Sequence, residues 1–236
     1  MTPLHVQANR LELIRRLAED IAHELKNPLH SLVINLELLR RRVAGGATDS
    51  ALDRVAILEQ ELGRVHRLTD ALLQLMRASH QNGRAFAIEA GMAELLPLLE
   101  AQARHDRVEL TCESAGDETR AAGRWDAIRF VILNLVANAL DAMRPTGGAL
   151  ELRWSCTDDE VSLCVRDTGP GVSPELLDRF WLPGVSTHPG RAGLGLAVAR
   201  HLAEEAGGRL ELEAPAAAAG GAVFRLVLKR STALDP

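Results

Sequence analysis

The sequence contains no tyrosine, and its aromatic residues are four phenylalanines and three tryptophans among 236 residues. With a net charge of −5, it has neither the basic surface nor the stacking platforms of a nucleic-acid binder. Lysine is almost missing as well. Lys26 and Lys229 are the only two, and neither stands in a glycine-rich loop. That excludes a P-loop and the strand lysine of a eukaryotic-type protein kinase. Cysteine is scarce: Cys112, Cys156 and Cys164 show no C-x-x-C spacing. The expectation is buried, inert thiols rather than a metal or redox centre. No apolar run approaches the ~18 residues of a membrane span. Met1 to Arg10 lacks the apolar core of a signal peptide, so the expected compartment is the cytoplasm. What is present is ordinary for globular protein, 47% apolar and 25% charged, in a length that suits one large domain or two small ones.

Periodicity divides the chain near residue 80. Residues 4–44 read as one helix, with apolar positions at Leu11, Ile14, Ala18, Ile21 and Leu25, then Leu29, Leu32, Leu36, Leu39 and Val43. This is a heptad seam with one extra residue between Leu25 and Leu29. Pro28 sits at the slip, where it removes the amide bond to the Glu24 carbonyl and is expected to bend the helix. Gly45 to Ser50 is a turn, with Asp49 or Ser50 as N-cap. A second seam follows from Leu52 through Val55, Leu58, Leu62, Val65, Leu68 and Leu72 to Leu75. Two such helices bury too little surface alone, and each stripe is wide enough for a further neighbour. A symmetric dimer forming a four-helix bundle is expected.

After a break at Ser79 to Gly83, strand and helix patterns alternate. Strands are expected over 85–89, 108–113, 150–155, 161–167, 209–213 and 223–228, and helices over 93–104, 124–143, 174–179 and 194–206. The alanine-rich stretch Ala214 to Gly221 reads as a hairpin loop. The expected fold class is α plus α/β: a dimeric antiparallel helical hairpin, residues 1–80, followed by a two-layer α/β sandwich, residues 81–236.

His23-Glu24-Leu25-Lys26-Asn27-Pro28-Leu29 is the most informative segment. His23 lies two residues from Ile21 and from Leu25, about 160–200° from the seam and on the solvent face. Exposure frees its imidazole for nucleophilic attack. A neighbouring carboxylate, Glu24, can hold the Nδ1 proton and leave Nε2 as the attacking atom. Asn27, one turn later, can orient a water. A plain solvated face is the alternative. The segment resembles the phospho-acceptor box of bacterial two-component sensor histidine kinases, His-Glu-x-x-(Thr or Asn)-Pro-Leu. The resemblance implies that His23 accepts the γ-phosphoryl group of ATP, that Glu24 assists as base, and that Asn27 positions water when a partner is dephosphorylated. His30, seven residues on, lacks a following acid and reads as structural or solvated.

A second constellation lies further on. Asn134, Asn138 and Asp141 fall at i, i+4 and i+7 on one face of an otherwise apolar helix. Such a row needs partners, and Mg²⁺ with triphosphate oxygens would supply them. Asp167-Thr-Gly169-Pro-Gly171 follows a strand; its carboxylate can accept from an adenine amino group where glycines admit a close backbone. Gly193-Leu194-Gly195 opens a helix whose free amides favour phosphate. In this order the array resembles the catalytic domain of the same kinases, within the superfamily that includes gyrase, MutL-type and heat-shock-chaperone ATPases. Asn134 and Asn138 then match the N box, with Asn138 as the Mg²⁺ ligand. Asp167, Gly169 and Gly171 match the adenine-binding box, and Gly193 and Gly195 the second glycine box. Trp181 stands where a phenylalanine is expected. Thr187, His188 and Arg191 fall in the ATP lid. There His188 stands where related kinases usually carry lysine, and Arg191 and Ala192 replace the first Gly-Thr of a Gly-Thr-Gly-Leu-Gly run, so that Arg191 becomes the candidate phosphate-binding cation. Arg124 occupies a position that is often acidic.

The resemblance implies an ATP-dependent protein-histidine kinase: a homodimer that passes its phosphoryl group to an aspartate on a response-regulator receiver domain, with a phosphatase activity suggested by Asn27. Only 22 residues precede His23, so input is expected from a sensor partner, or the chain is a kinase core. Two other readings are an ATPase of the same superfamily and a nucleotide-binding scaffold without catalysis. The ATPase class activates water with a glutamate at the position held here by Asn134, which cannot take a proton.

Overall fold

The computed structural model describes residues 3–44, 49–76, 85–114, 119–144, 146–183, 185, 193–213 and 220–231. By internal contacts the chain forms two compact units, Met1–Ala78 with Pro183–Leu194, and Ser79–Leu182 with Gly195–Pro236.

The first unit is built on two helices, α1 (Pro3–Ala44) and α2 (Asp49–Met76). Glu24 pairs with Arg64, and Asn35 with Arg54, so the helices run antiparallel. Leu17 and Ile21 of α1 and Leu68, Ala71 and Leu75 of α2 are buried between them. α1 continues through Pro28, which is itself buried. The expected turn at Gly45 and Gly46 and the break at Ser79 to Gly83 lie outside the described residues.

The seam differs from expectation past the slip. Asn35, not Leu36, turns inward; Leu29, Leu36 and Val43 remain exposed, as does Val33. On α2, Leu52, Leu62, Leu73 and Met76 are likewise uncovered. One stripe of each helix is covered by the other helix, and a second apolar stripe is left over on both. Asn35 is held by its own surroundings: Nδ2 donates to the Ser31 carbonyl at 2.9 Å, and Oδ1 accepts from Arg54 at 2.9 Å. A buried amide satisfied across the hairpin sets the register of the two helices more sharply than apolar contacts do.

The second unit is a two-layer sandwich. A five-stranded sheet, in the order β2-β4-β5-β7-β6, is made of β2 (Val108–Ser114), β4 (Gly148–Cys156), β5 (Glu160–Asp167), β6 (Arg209–Glu213) and β7 (Val223–Lys229). β2 and β4 are parallel, joined by a crossover containing α4 (Trp125–Met143); the other neighbours are antiparallel. α3 (Ile88–His105), α4 and α5 (Gly195–Glu205) pack on the sheet. Alternation decides the faces. Leu150, Leu152 and Trp154, then Val161, Leu163 and Val165, meet Ile128, Ile132 and Leu135 of α4 in the core. The outer face carries charged pairs, Arg153 with Glu113 and Glu151, Arg209 with Glu160, and Arg225 with Glu213. Such a face stays in solvent at little cost.

Four expectations are corrected here. The strand foreseen over 85–89 stops at Ala87 (β1, Ala85–Ala87), and α3 begins at Ile88, five residues before the expected start. No side chain caps that helix end locally. Instead, Ile88 N donates to the Thr119 carbonyl, and the Thr119 amide donates to Glu89 Oε2, each at 2.9 Å. The cap comes from a segment thirty residues away, and with it an unforeseen short strand, β3 (Arg120–Ala122), pairs with β1. The helix foreseen over 174–179 is a 3₁₀ turn, Pro174–Leu176, that continues as turns. The cysteines are not buried: Cys112 is exposed, and Cys156 and Cys164 are half-buried. Cys164 falls on the outer face of β5, in phase with Arg166 rather than with Val165. Desolvation, with a contribution from Glu100, still pushes the Cys112 thiol up to about 11, so it carries little thiolate at neutral pH.

Candidate phosphoacceptor and nucleotide sites

In the helical unit His23 is exposed on α1, as its spacing from the seam requires, and Asn27 is exposed one turn later. Glu24 is half-buried and turned toward α2, where its Oε2 accepts from Arg64 Nη2 at 2.9 Å. Immediately beyond His23, Lys26, Asn27, His30, Ile34, Leu38 and Arg54 line an open groove of about 580 Å³ on the hairpin. Three of its walls are cationic or imidazole groups, interleaved with apolar ones. His30 is exposed, in keeping with the solvated reading, and stands on a wall of this groove.

In the α/β unit the site forms where the 169–171 turn and the 221–222 segment meet the end of β5. Asp167 is buried, and its Oδ1 accepts from the Gly169 amide at 2.9 Å and the Ala222 amide at 3.2 Å. Burial pushes its carboxyl up; the two amides pull it partly back. Gly171 lies against the Gly221 carbonyl. Gly221 itself has φ +84°, and a Cβ there would collide with the Asp167 carbonyl oxygen. The end of the 214–221 stretch is therefore a buttress of the Asp167 site, not only a loop. Gly221→Ala is expected to lose on the order of 3 kcal/mol, from a left-handed backbone and a backbone clash together. Urea unfolding followed by tryptophan fluorescence would measure it.

The α4 row lies beside the start of α5. Asn134 Nδ2 donates to the Phe130 carbonyl at 2.9 Å, which fixes its amide. Its Oδ1 faces Gly195 so closely that a Cβ at Gly195 would overlap it. A glycine is what allows the first turn of α5 to reach the asparagine row. Asn138 is half-buried on the same face. Asp141 is buried and pairs with Arg144 at 3.1 Å, and Arg144 also reaches Asp106 at 3.2 Å. Leu194, ahead of α5, is buried, and Gly193 has φ +66°. Trp181 packs on Phe180 in a tilted pair with ring centroids 4.4 Å apart, and the Arg200 guanidinium lies 5.2 Å from its ring. Thr187, His188 and Arg191 lie outside the described residues.

Among the described residues no cluster of three or more His, Cys, Asp or Glu could hold a metal. A cation at this site would rest on amide and phosphate oxygens, the hard donors that Mg²⁺ prefers. The structure adds three parts that the sequence did not disclose: Arg64, Gly221 and the Ala222 amide. Each is distant in the chain from the residue it serves, so no local spacing marks it.

Residues 2–81 match the family described as His Kinase A (phospho-acceptor) domain, and residues 123–232 match the Histidine kinase-, DNA gyrase B-, and HSP90-like ATPase family. Sporulation kinase D of Bacillus subtilis (strain 168) is 29% identical over 208 residues, which cover 88% of this chain and 40% of that one. The sensory histidine kinase/phosphatase NtrB of Escherichia coli O157:H7 is 30% identical over 214 residues, 84% of this chain and 58% of that one. The chain thus spans roughly half the length of these relatives. A solved structure of histidine kinase ThkA in complex with the response regulator protein TrrA shares the fold, with a TM-score of 0.68 and 21% identity over 95% of this chain and 64% of that one. Among the described residues no helix is long and apolar enough to cross a membrane.

Proposed function

The chain belongs to the two-component sensor histidine kinase family, and on that premise we propose that it phosphorylates itself on His23 from ATP and passes the phosphoryl group to a response-regulator aspartate. The observation that carries this is an exposed imidazole, followed by Glu24 and Asn27, on a helix of the same chain that builds the Asp167 turn and the Asn134 row. Residues 1–80 supply dimerisation and the acceptor, and residues 81–236 the nucleotide site.

Asp167 takes the adenine amino group on the carboxylate that Gly169 and Ala222 orient. Phosphates lie toward the start of α5, where unpaired amides and the helix dipole favour anions. Asn138, with Asn134 beside it, would hold Mg²⁺, which when bound offsets phosphate charge. Thr187, His188 and Arg191 are assigned to the lid over the phosphates. Neutral His23 attacks the γ-phosphorus through Nε2. The bond from phosphorus to the bridging oxygen breaks, ADP leaves, and the Nδ1 proton passes to Glu24. Water-directed hydrolysis by the pocket itself is disfavoured, because a carboxamide stands at position 134.

The uncovered stripes Leu29–Val33–Leu36–Val43 and Leu52–Leu62–Leu73–Met76 support a homodimer, since together they are more apolar surface than an isolated hairpin keeps in water. The groove next to His23 is the place for the receiver domain, with Lys26 and Arg54 facing the acidic pocket around its aspartate. Incubation with γ-labelled ATP and Mg²⁺ is expected to give an alkali-stable, acid-labile label that peptide mapping places on His23. An absent label, or one on another residue, overturns the proposal.

A further inference from the structure

Glu24 is assigned the proton of His23, yet its carboxylate is engaged elsewhere. Neighbouring residues of a helix point about 100° apart, so a side chain at i+1 does not face its neighbour unaided. Here Glu24 reaches across to α2 and accepts from Arg64 at 2.9 Å, a contact between residues forty apart in the chain. Both partners are half-buried, with side-chain exposures of 29% and 16%. In this setting the carboxylate is aimed away from the exposed imidazole.

A second observation lies beside the first. Among the described residues, Arg64 Nε and Glu61 Oε2 are both buried atoms without a hydrogen-bond partner. Glu61 and Arg64 are i and i+3 on α2, the spacing at which an acid and a guanidinium meet on a helix. Each is one bond short, and the i, i+3 spacing puts the second carboxylate within reach of the guanidinium. Simply pulling Glu24 off Arg64 would strand a half-buried cation, which is costly. Giving the guanidinium a second carboxylate removes most of that cost.

We propose that Arg64 is a positioning residue for autophosphorylation: it parks Glu24 against α2, and by shifting to Glu61 it releases Glu24 to take the Nδ1 proton of His23. The proposal rests on His23 as the acceptor. It assigns the hairpin two internal states that differ by one ion pair, and the populated one is the parked state. Whatever turns α1 against α2 changes the balance between the two seats, so the device is a point of control over the first chemical step.

The test is the initial rate of autophosphorylation of the full chain with γ-labelled ATP and Mg²⁺, with circular dichroism to verify folding. Arg64→Gln frees Glu24 and is expected to raise the rate about fivefold, the factor that ~1 kcal/mol represents. Glu61→Gln removes the second seat and is expected to lower it by about the same factor. Arg64→Lys keeps a cation and is expected to stay close to the wild type. The double variant is expected to behave as Arg64→Gln alone, since Glu61 acts only through Arg64. A purely structural pair would instead slow both single variants and leave their effects additive. A rate in Arg64→Gln at or below that of the wild type overturns the proposal, as does a Glu61→Gln effect that persists in the double variant. Should Arg64→Gln fail to fold, Glu61→Gln alone decides, and an unchanged rate there overturns it. Label on wild-type His23 separates these outcomes from a failure of the acceptor assignment itself.

Discussion

His23→Gln is expected to reduce phosphoryl incorporation to background while the protein folds and binds nucleotide as before. The expectation of intact folding comes from the site's exposure. His23 faces solvent on a continuous helix, and a glutamine there is a better helix former than histidine. Surface substitutions of this kind stay within about 0.5 kcal/mol. The expectation of complete loss comes from the chemistry. A carboxamide has no lone pair on nitrogen comparable to that of imidazole, and no other described histidine combines exposure with a following acid and an asparagine one turn on. His30 lies nearby on the groove wall but precedes Ser31. Calorimetric ATP titration alongside the labelling assay checks both halves. Residual label above background would move the acceptor elsewhere.

Asp167→Asn is expected to weaken ATP binding by about 10–100-fold, the range of 1.5–3 kcal/mol for a hydrogen bond to a charged group. The substitution retains an Oδ1 that can accept from the Gly169 and Ala222 amides, so the backbone around it is kept. What changes is the other terminus, which becomes an NH₂ facing the adenine NH₂, donor against donor. Stability should move the opposite way. Burial raises the Asp167 carboxyl above its ordinary value. A group shifted in that direction favours the folded state when protonated. Its contribution is full below the unfolded-state pKa and is lost as pH rises through the folded-state value. At neutral pH the ionised carboxylate is therefore a cost, and its removal is expected to leave melting temperature unchanged or higher. Lower affinity with undiminished stability is the signature; a variant that binds ATP normally removes Asp167 from adenine recognition.

Much of this was legible in the sequence because its signals are local. α1 and α2 announce themselves by heptad spacing, β6 by alternation, and α5 by the glycines at either end. His23 could be placed in solvent from its distance to Ile21 and Leu25 alone. The failures have a common physical cause. α3 starts early because its cap is the Thr119 backbone, which no window around Ile88 contains. β3 is three residues, two of them alanine, and is held in place by pairing rather than propensity. Asn35 replaces Leu36 inside the hairpin because Arg54 and Ser31 satisfy it there. The cysteines were assigned inward by residue type, whereas the pleat puts Cys164 outward. At the nucleotide site the glycines were visible, but not that Gly221 faces Asp167. The stretch leading to it reads as compositional filler, while its end is fixed by a contact across the sheet.

The amide of Ala222 reaches Asp167 across a sequence separation of 55 residues, from the segment that leads into β7. During translation, β5 and its aspartate leave the ribosome long before that amide does. Until the segment that leads into β7 docks, the carboxylate lacks one of its two orienting donors. The geometry around Asp167 is therefore completed only when β7 has joined β5 in the sheet, so the orientation of one carboxylate reports the closing of that sheet.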